Sequence, residues 1–116
     1  MYGSGMSSVE SAYDDFRSNL GKILPKVDVE LLLQVMYYER KMPDVFPSVG
    51  LEIHYKSRAN VERKRDEIMS RYSFQVALHG KNGILVRGNM NTGMIQEISN
   101  DPQVERITGT ASIASY

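Results

Sequence analysis

Cysteine is absent from this 116-residue sequence, which removes disulfides, thiolate nucleophiles and cysteine-based zinc sites together. Net charge is absent too. Fourteen Lys and Arg balance fourteen Asp and Glu, so no overall field draws the chain to DNA or to a membrane surface. The two parts differ little, with five bases against seven acids in residues 1–50 and nine against seven in the remainder. No apolar run approaches the ~20 residues of a membrane-spanning helix. Met1 to Gly5 carries neither a basic n-region nor an apolar h-region, so no signal peptide is expected. These absences predict a cytoplasmic protein of one ordinary domain, large enough to bury a core without staples. Met1-Tyr-Gly-Ser-Gly-Met6 reads as a flexible leader, with residues 7–116 as the single domain.

What is present begins with two helical patterns. Ser7 stands three residues before Glu10, the spacing of a capping box. Val9, Ala12, Tyr13, Phe16, Leu20, Ile23 and Leu24 then recur at helical spacing, with Asp14, Asp15 and Arg17 off the stripe. Pro25 closes that helix. Asp28 is placed to N-cap a second one, with Val27 and Leu32 as a hydrophobic staple. Leu31, Leu32, Leu33, Val35, Met36, Tyr37 and Tyr38 follow almost without a polar break. A helix so apolar has more than one face to bury. It is therefore expected either between the first helix and a sheet or against another chain. Residues 7–42 thus read as a helical hairpin.

After the linker Met42–Ser48, with its two prolines, the period changes. Leu51, Ile53 and Tyr55 alternate with Glu52 and His54, a half-buried strand. Arg58 to Arg71 reads as a charged helix with Val61, Ile68, Met69 and Tyr72 inside. Phe74, Val76 and Leu78 alternate with Gln75, Ala77 and His79. Gly80-Lys-Asn-Gly83 reads as a hairpin turn, with Asn-Gly supplying the positive φ. Ile84 to Arg87 continues as the partner strand. Asn91 or Thr92 caps a short helix with Met94, Ile95 and Ile98 inside, Asn100-Asp-Pro102 breaks it, and Val104 to Thr110 is the last strand. The order strand, helix, strand, turn, strand, helix, strand over residues 50–110 is a split βαβ. The predicted fold class is α+β, a ferredoxin-like four-stranded antiparallel sheet with an added N-terminal helical hairpin.

Several motifs invite a chemical reading. Gly88-x-x-x-x-Gly93 has P-loop spacing, but Met94 and Ile95 stand where Lys and Ser or Thr belong, so a strand-to-helix turn is expected. His54 and His79 fall on the polar face of strands separated by a third, with Glu52 as the available further ligand; surface histidines are the expectation. Arg63-Lys64-Arg65 is a basic triplet able to touch phosphates, interleaved with Glu62, Asp66 and Glu67 at ion-pair spacings. RNA-reading versions of the fold stack bases on strand aromatics. Here the outward positions are Glu52, His54, Gln75, Ala77, His79 and Arg87, while Tyr55 and Phe74 fall on the inward register. No Gly-x-Ser-x-Gly elbow occurs, and nothing pairs Asp14-Asp15, Asp66-Glu67 or Asp101 with a nucleophile or base.

Asp101, Pro102, Val104 and Ile107, preceded by Met94, Ile95 and Ile98, make Tyr72 to Ile107 resemble the later part of subtilisin propeptides and their free-standing inhibitor relatives. The resemblance implies a protease inhibitor whose tail, here Thr108 to Tyr116, lies along the protease cleft in substrate-like fashion. It covers about a third of the chain.

Without a catalytic constellation, the expected function is a non-enzymatic protein-interaction or regulatory module, with no cofactor and no metal. Its partner is another protein or a second copy of itself, a homodimer meeting through Leu33, Tyr37 and Tyr38. The alternatives are a nucleic-acid-binding domain using Arg63, Lys64 and Arg65, and the protease inhibitor.

Overall fold

The computed structural model describes residues 2–113 of the chain, and side chains from residue 8 onward. Helices α1 (Tyr2–Ile23) and α2 (Val29–Lys41) precede strand β1 (Ser48–Tyr55), helix α3 (Val61–Tyr72), strands β2 (Gln75–His79) and β3 (Gly83–Asn89), helix α4 (Thr92–Ser99) and strand β4 (Val104–Ser112). The architecture is α+β. The four strands form one antiparallel sheet in the order β2-β3-β1-β4. Helices α3 and α4 each carry the chain past one strand, which places β1 and β3 at the centre.

Alternation fixes the inner face. Val49, Leu51, Ile53 and Tyr55 of β1 are buried, as are Ile84 and Val86 of β3. In β4 the register shifts opposite His54 and Tyr55, and this bulge lets both Val104 and Ile107 point inward at a spacing of three. Helix α3 contributes Ile68, and α4 contributes Ile95 and Ile98. Asn60 accepts a hydrogen bond from the Arg63 N–H and so starts α3 three residues later than its charge pattern predicts. Asn91 caps α4 in the same way through the Met94 N–H.

Helix α2 belongs to the core. Leu31, Leu32 and Val35 are almost wholly enclosed, and the helix lies along β4 and α4. Gln34 Oε1 accepts from the Ala111 N–H, while Glu39 Oε1 accepts from the Thr92 N–H. Ahead of it, Val27 makes a parallel bridge with Ile107: the Asp28 N–H donates to Ile107 O, and the Ile107 N–H donates to Lys26 O. The outer edge of β4 is thereby covered, which closes one of the two edges a sheet must protect.

Several expectations need correction. Helix α1 is assigned from Tyr2, so the backbone of residues 2–6 is helical and Ser7 falls inside the helix; its side chain lies outside the described residues. Asp28 occupies the N-cap position of α2 but its side chain makes no capping bond. The packed helical hairpin is replaced by an arm: α1 meets α2 only in its last turns, through the Arg17–Glu30 ion pair and Gly21 beside Val29, and residues 8–16 are all exposed. Met69 is exposed, not part of the inner stripe of α3. The positive φ of the hairpin sits at Gly80, not in the Asn-Gly pair. Strand β4 continues past Thr110 to Ser112.

Candidate functional site

Helices α2, α3 and α4 pack on the inner side of the sheet, so its outer face is left open. Its register forms three rows across β2, β3, β1 and β4: Gln75, Arg87, Gly50, Thr110; then Ala77, Leu85, Glu52, Thr108; then His79, Gly83, His54, Arg106. The outward positions predicted from alternation, namely Glu52, His54, Gln75, Ala77, His79 and Arg87, all lie in this array. Leu85 joins them; alternation does not single it out, because Ile84 to Val86 is an unbroken apolar run.

A groove of about 440 Å³ occupies the first two rows. Gly50 makes its floor: nothing lies within 4 Å of the space a Cβ would fill. Ala77 and the exposed side of Leu85 continue the apolar floor, and Glu52, Gln75, Arg87 and Thr110 stand around it. Arg87 is cross-strand neighbour to Gly50 and pairs with no carboxylate among the described residues. Arg106 is likewise exposed and unpaired.

The third row brings the two histidines together. Gly83 lies between His79 and His54 in register, where a Cβ would press on the His79 carbonyl. Glu52 Oε1 stands 3.1 Å from His54 Nε2 and 3.4 Å from His79 Nε2. One carboxylate therefore serves both rings. Among the described residues no group of His, Asp or Glu side chains is arranged to hold a metal ion.

The basic triplet is not a free cationic patch. Arg63 pairs with Glu67 at 3.2 Å, Arg65 with Asp66 at 3.0 Å, and Lys64, largely buried, with Asp101 at 2.7 Å. The Asp101 ion pair ties α3 to the turn before β4. Burial pushes the Asp101 carboxyl up, but hydrogen bonds from the Lys64 ammonium and the Gln103 N–H outweigh it and hold the group below the usual carboxylate range. Nearby, Glu97 accepts from Arg71 and from the Tyr72 hydroxyl. These groups surround a cleft of only about 100 Å³ between α3 and α4, with Tyr55 at its base. Burial raises the Tyr55 phenol far above its ordinary value, reinforced by Asp101 and Glu67. The cleft is a narrow polar seam.

The remaining candidates are dispersed. Gly88 lies under the Phe74 ring and Gly93 opens α4, which makes the glycine pair a strand-to-helix connection. Asp14 and Asp15 are exposed on α1. On α2, Tyr37 is exposed while Leu33 and Tyr38 are half-buried. The Tyr37 and Tyr38 rings meet edge to face, and Lys41 lies over Tyr37. Thr108 to Ser112, which the inhibitor resemblance would send along a protease cleft, are paired to β1. No helix of the described residues is long and apolar enough to cross a membrane. No protein-family model, no curated protein and no solved structure matches the chain.

Proposed function

We propose that this chain is a non-enzymatic interaction module built on a ferredoxin-like split βαβ, and that it seats an acidic protein segment on the open face of its sheet. The strand order β2-β3-β1-β4 with its two helical crossovers supports the ferredoxin-like reading. The groove carries the functional one. Its floor of Gly50, Ala77 and Leu85 accepts an apolar side chain, and Arg87 beside Gly50 supplies an unneutralised cation to which a carboxylate on the same segment docks. Glu52 lies against His54 and His79, and Glu105 stands at the far, histidine end of the sheet, so Arg87 is the cation at the groove itself.

Labelled peptides combining Leu or Phe with Asp or Glu test the reading by fluorescence anisotropy, with lysine-containing counterparts as controls. The acidic peptides are expected to bind and to lose at least tenfold in affinity with Gly50→Leu, which fills the groove, or with Arg87→Ala. Equal binding of the basic counterparts, indifference to both substitutions, or turnover of a hydrolase or phosphatase substrate panel would overturn it. Salt-sensitive capture of a random oligonucleotide, abolished by replacing Arg63, Lys64 and Arg65 with Ala, would favour the nucleic-acid reading instead.

A further inference from the structure

Val9, Tyr13, Phe16, Leu20 and Ile23 follow one another at spacings of four, three, four and three, and the same spacing reaches back to Met6 and Tyr2 in the sequence. That is an unbroken heptad seam over three heptads, with Tyr13 and Leu20 at one core position and Val9, Phe16 and Ile23 at the other. The fold does not use it. Val9 is 68% exposed, Tyr13 51%, Phe16 43% and Ile23 67%, so the seam is open from Val9 to Ile23. Among its described residues Leu20 alone is half-buried.

We infer that α1 is a self-association arm that pairs with α1 of a second copy as an antiparallel two-stranded coiled coil. Charge decides both the partner and the orientation. Within α1, residues 8–15 carry Glu10, Asp14 and Asp15 and no base, whereas residues 16–23 carry Arg17 and Lys22 and no acid. A parallel pair sets like charges side by side. An antiparallel pair lays the acidic half of each helix on the basic half of the other and also opposes the two helix dipoles. Centring the pair so that Tyr13 packs beside Phe16 of the second copy sets Val9 beside its Leu20. Glu10 then lies opposite Arg17 of the second copy at the flanking position; that guanidinium also holds Glu30 and the Tyr13 hydroxyl of its own chain, so Lys22 is the base of α1 without an intrachain ion pair among the described residues. A second copy thus supplies both the apolar stripe and the complementary charge, and a two-fold axis satisfies both arms at once.

The area sets the strength. The four exposed side chains leave roughly 400 Å² of apolar surface open per chain, so two arms bury about 800 Å² from these groups alone, short of the ~1,200 Å² of a standard stable interface. An interface of that size is expected to form and dissociate with concentration. The inference is independent of the sheet-face reading, since α1 and the groove share no residue.

Sedimentation velocity on the full chain from micromolar to several hundred micromolar tests it. A monomer–dimer equilibrium is expected, weakened more than tenfold by Phe16→Glu or Val9→Glu with helicity by circular dichroism retained, and weakened several-fold by the double change Asp14→Lys and Asp15→Lys. The chain has no cysteine, so a single Lys22→Cys accepts a spin label. An antiparallel pair separates the two labels by about 15 residues, ~22 Å along the axis, whereas a parallel pair sets them side by side. A strict monomer at the highest concentration would overturn the inference, as would side-by-side labels. So would a dimer that survives both Glu variants but is lost with Tyr37→Glu, which would move the interface to α2. Peptide binding at the sheet face is read separately in each variant, so loss of either property leaves the other standing.

Discussion

Gly88 and Asp101 show how single residues are constrained by what sits above them. A Cβ on Gly88 would overlap Cδ1 of Phe74. The Phe74 ring is buried and stacked on Tyr72 with centroids 5.2 Å apart, so it has little freedom to retreat. Gly88→Ala is expected to cost about 1–3 kcal/mol through overpacking, read from urea denaturation. An unchanged midpoint would mean that the ring swings aside. At Asp101 the carboxyl is held low chiefly against its own burial, by Lys64 and the Gln103 N–H. A group whose folded pKa is depressed adds stability above its unfolded value, near 4, and loses it as pH falls through the folded value. Asp101→Asn is expected to cost about 1 kcal/mol at neutral pH, at the low end for a charged hydrogen bond because part of the side chain stays wet. In pH-dependent thermal melts the gap between variant and parent should begin to narrow as pH falls below about 4 and close once pH has passed the depressed folded value. A gap that does not narrow on acidification would assign the loss to packing. Neither constraint is visible in sequence, since each partner is distant along the chain or set by tertiary contact.

At the scale of elements, period was legible and boundaries were not. The alternation around Leu51 and Phe74 placed the outward residues Glu52, His54, Gln75, Ala77, His79 and Arg87 correctly because the strand period is two whatever the tertiary context. It could not place Leu85, inside an apolar run, nor reveal that His54 and His79 share one carboxylate, because that depends on register through β3. The capping side chains at Asn60 and Asn91 fix the starts of α3 and α4. The start of α3 was misread because Arg58 and Ala59 fit a helical pattern as well as their successors do. The end of α3 carries a testable strain. Ser73 sits in the left-handed region, φ 60°, with its N–H bonded to Met69 O. An L side chain there costs roughly 1–2 kcal/mol that glycine does not incur. Allowing for the greater freedom glycine has when unfolded, Ser73→Gly is expected to stabilise by about 0.5–1 kcal/mol in chemical denaturation. Destabilisation would show that the Ser73 side chain makes a compensating contact.

At the scale of the whole molecule, two helices that look alike in sequence have opposite fates. An apolar stripe reads the same whether a core or a second chain covers it. The radius of gyration is 16.2 Å, against about 13 Å for a rounded domain of this length, and α1, about 33 Å long at 1.5 Å per residue, accounts for the excess as a projecting arm. Helix α2 is different. Leu31, Leu32 and Val35 are at most 1% exposed, Gln34 and Glu39 bind β4 and α4, and the bridge at Val27 covers the β4 edge. Burying three such side chains contributes roughly 5–8 kcal/mol, comparable to the whole stability of a small domain. Removing residues 1–16 is therefore expected to leave the melting temperature of the monomer within a few degrees, since none of the described side chains removed is buried. A fragment of residues 47–116 is expected to lose cooperative melting and become protease-sensitive throughout, although it retains every strand. If that fragment melted cooperatively, α2 would be an accessory layer and the four strands with α3 and α4 a self-sufficient core; if removal of residues 1–16 abolished folding, the arm would be part of the core and not a projection from it.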